Sequence, residues 1–475
     1  MLRVTPDRPW PLQDTAAIRR IEQAAAAALP PHTLMQRAGL SVARLALAVA
    51  PHARTVWVAC GPGNNGGDGF EAALHLKQWG KEVIVTLAGD PSRAPEDARR
   101  SLERARDAGV VFGAAPPTWD FAVDALLGIG ASRTAEGLLL ECIRGLNDSG
   151  AGVLAVDVPS GLNADTGVGV THVSATHTVS LVALKPGLFT AGGRDAAGSI
   201  WVDDLGITAP DGGCTARLVA PPALRHRPHA SHKGTHGDVA VIGGAPGMTG
   251  AALLAARAAL HHGAGRVFVG LLASGAPPLD AGQPDLMVRD TASLALAHAA
   301  VACGCGGGDA VRDLLPRVLG ESRDLVLDAD ALNAIASDSQ LQALLEARGR
   351  RGRPTVLTPH PLEAARLLGT GTGRVQGNRL TAARQLADRF GCTVVLKGSG
   401  TVVADAAGTW INPTGNAKLA IAGTGDVLAG MIAAHLAAGA SAADAACASV
   451  YLHGQAADRW PADVPLTAAA LAAAG

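Results

Sequence analysis

Thr55-Val56-Trp57-Val58-Ala59, then Gly61-Pro62-Gly63-Asn64-Asn65-Gly66-Gly67-Asp68-Gly69, then Phe70 to Trp79 read as a strand, a glycine-rich turn and a helix. The unit repeats on either side. Glu82 to Leu87, Phe121 to Leu127, Gly152 to Val156 and Thr178 to Leu184 have the apolar, β-branched character of strands. Pro95 to Ala108 and Gly137 to Leu146 have helical spacing between them, and Ala16 to Val49 gives two more helices broken at Pro30-Pro31. This alternation predicts a parallel, doubly wound α/β sheet. Pro221 to His232, rich in Pro, His and Arg, predicts a linker, with domains at 1–220 and 221–475. After it the alternation restarts. Strands are expected at Asp238–Ile242, Arg266–Leu271, Asp324–Leu327, Thr355–Leu357 and Thr393–Leu396, with an Ala-rich helix to His262. Two apolar helices end the chain, the first from Met431 to Ala438.

The 475 residues suffice for two or three domains, and 48% hydrophobic with 17% charged residues describes a folded globular chain. A formal net charge of −1 offers no field for nucleic acid or an anionic membrane, and neither is expected as a partner. Seven scattered cysteines with no C-x-x-C predict reduced thiols and a cytoplasmic protein. Met1 to Asp14 lacks the apolar core of a signal peptide, and no run of about 20 apolar residues predicts a membrane span.

In such sheets ligands bind beyond the carboxyl ends of the strands. Gly61 to Gly69 lies at one such end, but Asn and Asp fill slots that a G-x-G-x-x-G motif would need. Its amide and carboxylate oxygens suit a hard cation or a ribose. Asp124 in Asp124-Ala125-Leu126-Leu127-Gly128-Ile129-Gly130, Asp157 and Ser160 in Asp157-Val158-Pro159-Ser160-Gly161, and Lys185 in Lys185-Pro186-Gly187 also fall at strand ends. Each alone reads better as a structural salt bridge; together they put two acids, a hydroxyl and an amine on one rim.

With Leu34-Met35-x-Arg37-Ala38-Gly39, these motifs resemble, in order, the NAD(P)H-hydrate epimerase family over roughly residues 12–210. That family interconverts the C6 epimers of hydrated NADH and NADPH. The resemblance implies a Rossmann-like domain in which Asn64, Asn65, Gly66, Gly67, Asp68, Gly128, Ile129, Gly130, Ala131, Ser132, Arg133, Thr134 and Asp157 hold the substrate. It implies a potassium ion at Asn65, Asp124 and Ser160, and Asp157 with Lys185 as the acid–base pair.

In the second half, Ala422-Gly423-Thr424-Gly425-Asp426 leads into an apolar helix. Free backbone N–H groups at a helix start bind anions. A carboxylate facing a bound anion is costly, so Asp426 suggests a base that takes a hydroxyl proton as a phosphoryl group arrives. An ordinary acidic first turn is an equal reading of that stretch alone. Asp328, His360 and Lys397 also fall at strand ends. With Ser231-His232-Lys233-Gly234 and Gly263-Ala264-Gly265, they resemble the ADP-dependent NAD(P)H-hydrate dehydratase family over roughly residues 225–460. The resemblance implies a ribokinase-like α/β/α sandwich. It implies phosphorylation of the C6 hydroxyl by ADP, with loss of phosphate then restoring NAD(P)H and leaving AMP. It makes Asp426 the base. Lys397, Gly398, Ser399, Gly400 and Thr401 line the nucleotide, Gly423, Thr424 and Gly425 form its anion hole, and Ala252, Gly306, His360 and Asp426 face the hydrate.

The cofactors expected are K+ in the first domain and Mg2+ with ADP in the second. The partners expected are the hydrates and ADP, in a homo-oligomer. Two stretches depart from the family pattern: Asn416 to Ala422, with Lys418, Ile421 and Ala422 in slots usually filled by Gly or Thr, and Gly304-Cys305-Gly306-Gly307-Gly308, where the family has Gly-Pro-Gly-Leu-Gly. The alternative reading is a ribokinase-like small-molecule kinase carrying a non-catalytic binding domain.

Overall fold

The computed structural model describes residues 1–130, 135–207, 213–223, 228–276 and 278–474. The chain divides into two compact units: Met1–Thr5 with Trp10–Arg217, and Pro6–Pro9 with Leu218–Gly475.

The first unit is built on one sheet. Its strand order is Leu2–Arg3, Ser199–Asp203, His177–Leu181, Gly152–Val156, Phe121–Ala125, Thr55–Cys60, Glu82–Leu87, Val111–Phe112. All pair in parallel except the short Leu2–Arg3. Alternate residues of each strand face opposite layers. Val56, Val58, Val123 and Leu154 join one core with helices Thr33–Val49 and Asn64–Gln78. Trp57, Ala59, Ala122 and Val153 join the other with helix Leu138–Asp148. The chain order reverses between Thr55–Cys60 and Phe121–Ala125, which opens a crevice at their carboxyl ends.

The helix expected from Phe70 begins earlier, at Asn64. Three glycines, Gly66, Gly67 and Gly69, argue against helix by propensity, but close packing decides. A Cβ at Gly67 would lie 2.5 Å from the Met35 sulfur, and one at Gly69 2.5 Å from the Ala125 Cβ. Asn64 to Asp68 therefore form the first turns of a helix rather than a loop.

In the second unit the order is Met287–Val288, Arg266–Leu271, Asp238–Gly243, Ala300–Cys303, Asp324–Leu327, Thr355–Leu357, Thr393–Leu396, Val402–Asp405, Gly408–Ile411. The strands through Thr393–Leu396 are parallel, and the last two form an antiparallel hairpin. Helices cover both faces. Ile242, Val301, Leu325, Leu357 and Val394 meet helices Ala329–Ala336, Pro361–Leu368 and Arg379–Phe390 on one side. Val241, Ala302, Val326, Val356 and Val395 meet Thr249–His261, Thr424–Ala437 and Ala442–Arg459 on the other. This is the α/β/α sandwich expected. Here too the order reverses, between Asp238–Gly243 and Ala300–Cys303.

The last-but-one long helix starts at Thr424, not Met431. Gly423, at φ +92°, turns the chain into it. Gly430 lets it cross Thr249–His261 closely, since a Cβ there would lie 2.0 Å from the Ala255 carbonyl oxygen. All seven cysteines are free thiols. No helix among the described residues is long and apolar enough to cross a membrane.

Candidate active sites

In the first unit the chemistry gathers beyond Phe121–Ala125, Gly152–Val156 and His177–Leu181. Asp157 leaves its strand at φ +70°, a conformation that disfavours any side chain but glycine's. The turn aims its carboxylate back at Lys185, whose ammonium donates to Asp157 Oδ1, to the Leu181 carbonyl at 2.7 Å and to Ser180 Oγ at 3.2 Å. Leu181 N–H donates to the same carboxylate at 3.1 Å. Lys185 is fully buried, so its charge depends on these partners.

Beside them Ser160 Oγ donates to Asp124 Oδ1 at 2.5 Å, and Ser160 N–H to Oδ2 at 2.8 Å. Burial pushes the Asp124 carboxyl up to about 6 even though these bonds pull it down. Ser160 Oγ also lies 3.2 Å from the Leu127 carbonyl. Next along that loop, a Cβ at Gly128 would lie 3.3 Å from Asn65 Oδ1, so the Asn65 amide closes on the same turn. Asn65 Nδ2 is buried with no partner among the described residues. Amide, carboxylate and hydroxyl oxygens, with no sulfur or imidazole, fit a potassium-class cation. Gly128, Ile129 and Gly130 border this crevice; Ala131, Ser132, Arg133 and Thr134 lie outside the described residues.

Two residues here were not singled out by sequence. Glu22, on helix Thr15–Ala28, has its carboxyl raised by burial and by Asp157. Arg19, one turn earlier, comes within 3.6 Å of where a Gly130 Cβ would stand. Asp68 is raised well above the carboxylate range by burial, then by Asp157 and Glu22. The only signal for Glu22 was its place one residue after Ile21 on an amphipathic helix, which does not mark chemistry.

In the second unit Asp426 sits in the first turn of Thr424–Ala437. Thr424 pins that turn: its hydroxyl donates to Leu419 O at 3.0 Å and Ile421 O at 3.1 Å, and His453 Nε2 meets its carbonyl at 2.9 Å. Burial, then the Asp328 charge, pushes the Asp426 carboxyl up to about 6. Lys397 Nζ donates to Asp328 Oδ1 at 2.7 Å, and Thr358 Oγ1 donates to the same oxygen at 2.8 Å. Burial works against the Lys397 charge, but Asp328 and Glu363 outweigh it and raise the ammonium above its usual range. The same ammonium lies 3.1 Å from where a Gly425 Cβ would stand, so a side chain there would press on it.

Lys397 to Thr401 turns away from its strand through Gly398 at φ +135° and Gly400 at φ +59°. Arg379, 1% exposed, clamps the turn from below, donating to the Leu396 and Lys397 carbonyls at 3.1 Å each. Nothing in its sequence surroundings marks Arg379. His360 caps helix Pro361–Leu368, its Nδ1 accepting from Leu362 and Glu363 N–H at 3.1 and 3.3 Å, and its ring is exposed. Burial raises the Glu363 carboxyl to about 7. Gly306, at φ +57°, packs on Met248, and Ala252 is fully buried one turn into its helix. Lys418 spends its ammonium on the Trp460 and Pro461 carbonyls, at 2.9 and 3.1 Å.

A cleft of about 480 Å³ lies at the opposite, amino-terminal edge of this sheet. Its charges neutralise one another, Arg266 with Asp238 at 2.5 Å and Arg323 with Asp324 at 2.8 Å, so it lacks the polar convergence of the carboxyl edge.

Fold and sites define a two-domain α/β enzyme with titratable side chains gathered beyond the carboxyl ends of the strands in each sheet. Residues 239–474 match the NAD(P)H-hydrate dehydratase family, and residues 31–187 match the family of YjeF-related protein N-termini. The chain is 39% identical to the bifunctional NAD(P)H-hydrate repair enzyme Nnr of Escherichia coli K12, over 93% of this chain and 88% of that protein. It is 46% identical to the ADP-dependent (S)-NAD(P)H-hydrate dehydratase of Neisseria meningitidis, over 50% of this chain and 82% of the other. Among solved structures, the ADP/ATP-dependent NAD(P)H-hydrate dehydratase of Bacillus subtilis with ATP/Mg2+ aligns with TM-score 0.45 and 32% identity, covering 53% of this chain and 91% of its own. The chain belongs to the bifunctional NAD(P)H-hydrate repair enzyme family.

Proposed function

We propose that residues 1–220 epimerise the hydrates of NADH and NADPH at C6, and that residues 221–475 dehydrate the S epimer at the expense of ADP. The observation that carries this is the pairing of a carboxylate with a lysine beyond the carboxyl ends of the strands in each sheet: Asp157 with buried Lys185, and Asp328 with half-buried Lys397 beside Asp426. Family membership weighs against the simple kinase alternative, because its members named as bifunctional span both units.

In the first unit Asp157 accepts a proton from the C6 hydroxyl side of the substrate and Lys185 supplies one. The rigid backbone at Asp157 keeps the two in register. Asn64 to Asp68 and Gly128 to Thr134 hold the dinucleotide. Asn65, Asp124 and Ser160 would hold a potassium ion, which supplies a fixed positive charge in a buried site.

In the second unit Asp426 removes the C6 hydroxyl proton as that oxygen takes the β-phosphoryl group of ADP, releasing AMP. Phosphate then departs from C6 where hydroxide would not, C5 gives up a proton, and that C–H electron pair becomes the ring double bond. Lys397 and the N–H groups of Gly423 to Gly425 stabilise the phosphoryl charge. Lys397 to Thr401 seat the nucleotide, and Ala252, Gly306 and His360 border the hydrate. Mg2+ would enter with ADP and neutralise phosphate charge. Exposed His360 fits that border position, and the raised Asp426 carboxyl fits a base.

Purified protein incubated with chemically hydrated NADH and ADP is expected to regain the near-ultraviolet absorbance of NADH. No recovery with ADP or ATP contradicts the assignment.

A further inference from the structure

Cys305 follows the strand Ala300–Cys303 and stands in the crevice where the second sheet reverses. Its Sγ, a carboxylate oxygen of Asp328 and one of Asp426 all lie within 4.8 Å of one another. Cys305 and Asp328 are buried and Asp426 is half-buried, so the set has one wet side. Cys303, two residues away, points into the opposite core layer and cannot join it.

We propose that Cys305, Asp328 and Asp426 form a binding site for a thiophilic divalent cation of the zinc class, and that its occupation shuts off the second active site. Sulfur with two carboxylates is the donor set of zinc or cobalt, not of magnesium, which takes oxygen alone. Tetrahedral bonds of about 2.3 Å to sulfur and about 2.1 Å to oxygen separate ligand atoms by roughly 3.5 Å, so closure needs movements of about 1 Å or less. Three protein ligands leave a fourth position on the wet side for water. The charges also match. With the thiol protonated, two carboxylates and the Lys397 ammonium sum to −1. Binding forms one metal–sulfur and two metal–oxygen bonds, breaks the S–H bond and releases that proton to solvent. The resulting −2 balances a divalent ion, and no electrons move. Asp328 can keep its bond to Lys397 through Oδ1 while the other oxygen takes the ion, and Asp426 can no longer accept a proton. The inhibitory part rests on the role proposed for Asp426; the binding part does not.

Cobalt(II) is the probe, added to the full chain without nucleotide. One equivalent is expected to produce a thiolate-to-cobalt charge-transfer band and to release one proton. A large excess of Mg2+ should leave the band intact. Cys305→Ser should abolish it, and the double variant Cys214→Ser, Cys447→Ser, which removes the two thiols that are not buried, should keep it. No band, or a band that survives Cys305→Ser, overturns the site. Should Cys305→Ser not fold, Asp426→Asn carries the same test: cobalt affinity falls about tenfold or more, and unchanged affinity overturns the proposal. For the inhibitory part, one equivalent of Zn2+ should stop NADH regeneration by the native chain and leave the Cys305→Ser variant at its own rate. Equal inhibition of both overturns that part, while the cobalt band is read without any substrate.

Discussion

Asp426 carries the sharpest consequence at the scale of a residue. Asp426→Asn keeps size and hydrogen bonding but removes the base, and loss of a positioned base typically costs about 10²–10⁴-fold in rate. NADH regeneration should collapse to that extent, while ADP binding holds or tightens because a negative charge beside phosphates is gone. Near-native regeneration would return Asp426 to an ordinary helix-start residue. The pH dependence has a definite sign. Burial lifts the Asp426 carboxyl to about 6, and only its ionised form accepts a proton. Dehydratase kcat/KM should therefore be flat above that pH and fall about tenfold per unit below it. A profile flat down to pH 4.5 would contradict the role. At this scale sequence placed Asp157, Lys185, Asp328 and Lys397 at strand ends and Asp426 at a glycine-rich helix start, and only their joint order set them apart from ordinary salt bridges and turns. It did not mark Glu22, Thr358, Glu363 or Arg379, whose neighbours are distant in the chain and whose burial only the fold creates.

Among elements, the crossing of Thr424–Ala437 over Thr249–His261 sets where Asp426 stands. Gly430→Ala puts a methyl group 2.0 Å from the Ala255 carbonyl oxygen, and the helices must part. Overpacking of this kind costs about 1–3 kcal/mol. The variant should melt earlier in the second unit and lose dehydratase more than epimerase activity; an unchanged melt would show that the helices slide apart freely. Arg379→Leu strips the donors from the Leu396 and Lys397 carbonyls, under the turn proposed to seat the nucleotide, a loss of about 1–3 kcal/mol per buried group left unsatisfied. Its KM for ADP should rise, and an unchanged KM would mean the loop holds itself. The strands read from sequence were those with Val, Ile and Leu runs, most of them followed within two residues by Gly, Pro, Asp or Lys. Ala300–Cys303 escaped because Ala-Val-Ala-Cys has weak β character and becomes a central strand only through its two parallel neighbours. The hairpin Val402–Asp405 and Gly408–Ile411 turns on Ala406-Ala407, held by the Asp405 carboxylate accepting from Ala407 N–H at 2.8 Å, a signal that lacks the usual glycine pair. Both helix starts were placed late, at Phe70 and Met431, because glycine lowers helix propensity while close packing demands it.

For the whole molecule, two sheets with separate cores predict separate folding. Fragments 1–215 and 225–475 should each give a cooperative melt. The second should melt below the full chain's second transition, because it lacks Pro6–Pro9, whose Pro6 carbonyl accepts from the Tyr451 hydroxyl at 3.0 Å. If neither fragment melts cooperatively, the division at 220 is misplaced. Two chemistries running in one chain, the first feeding the second, are separated by giving a mixture of R and S hydrates, with ADP, to the native protein, to Lys185→Ala and to Asp426→Asn, and following NADH to its end point. The native protein should convert the whole mixture. Lys185→Ala should convert the S portion at the native rate and then stall, completing the rest only as fast as the hydrates epimerise unaided. Asp426→Asn should convert almost none while still interconverting the epimers. If Lys185→Ala instead reaches the native end point at the native rate, or if Asp426→Asn loses epimerisation as well, the two centres are not the separate sites assigned to them.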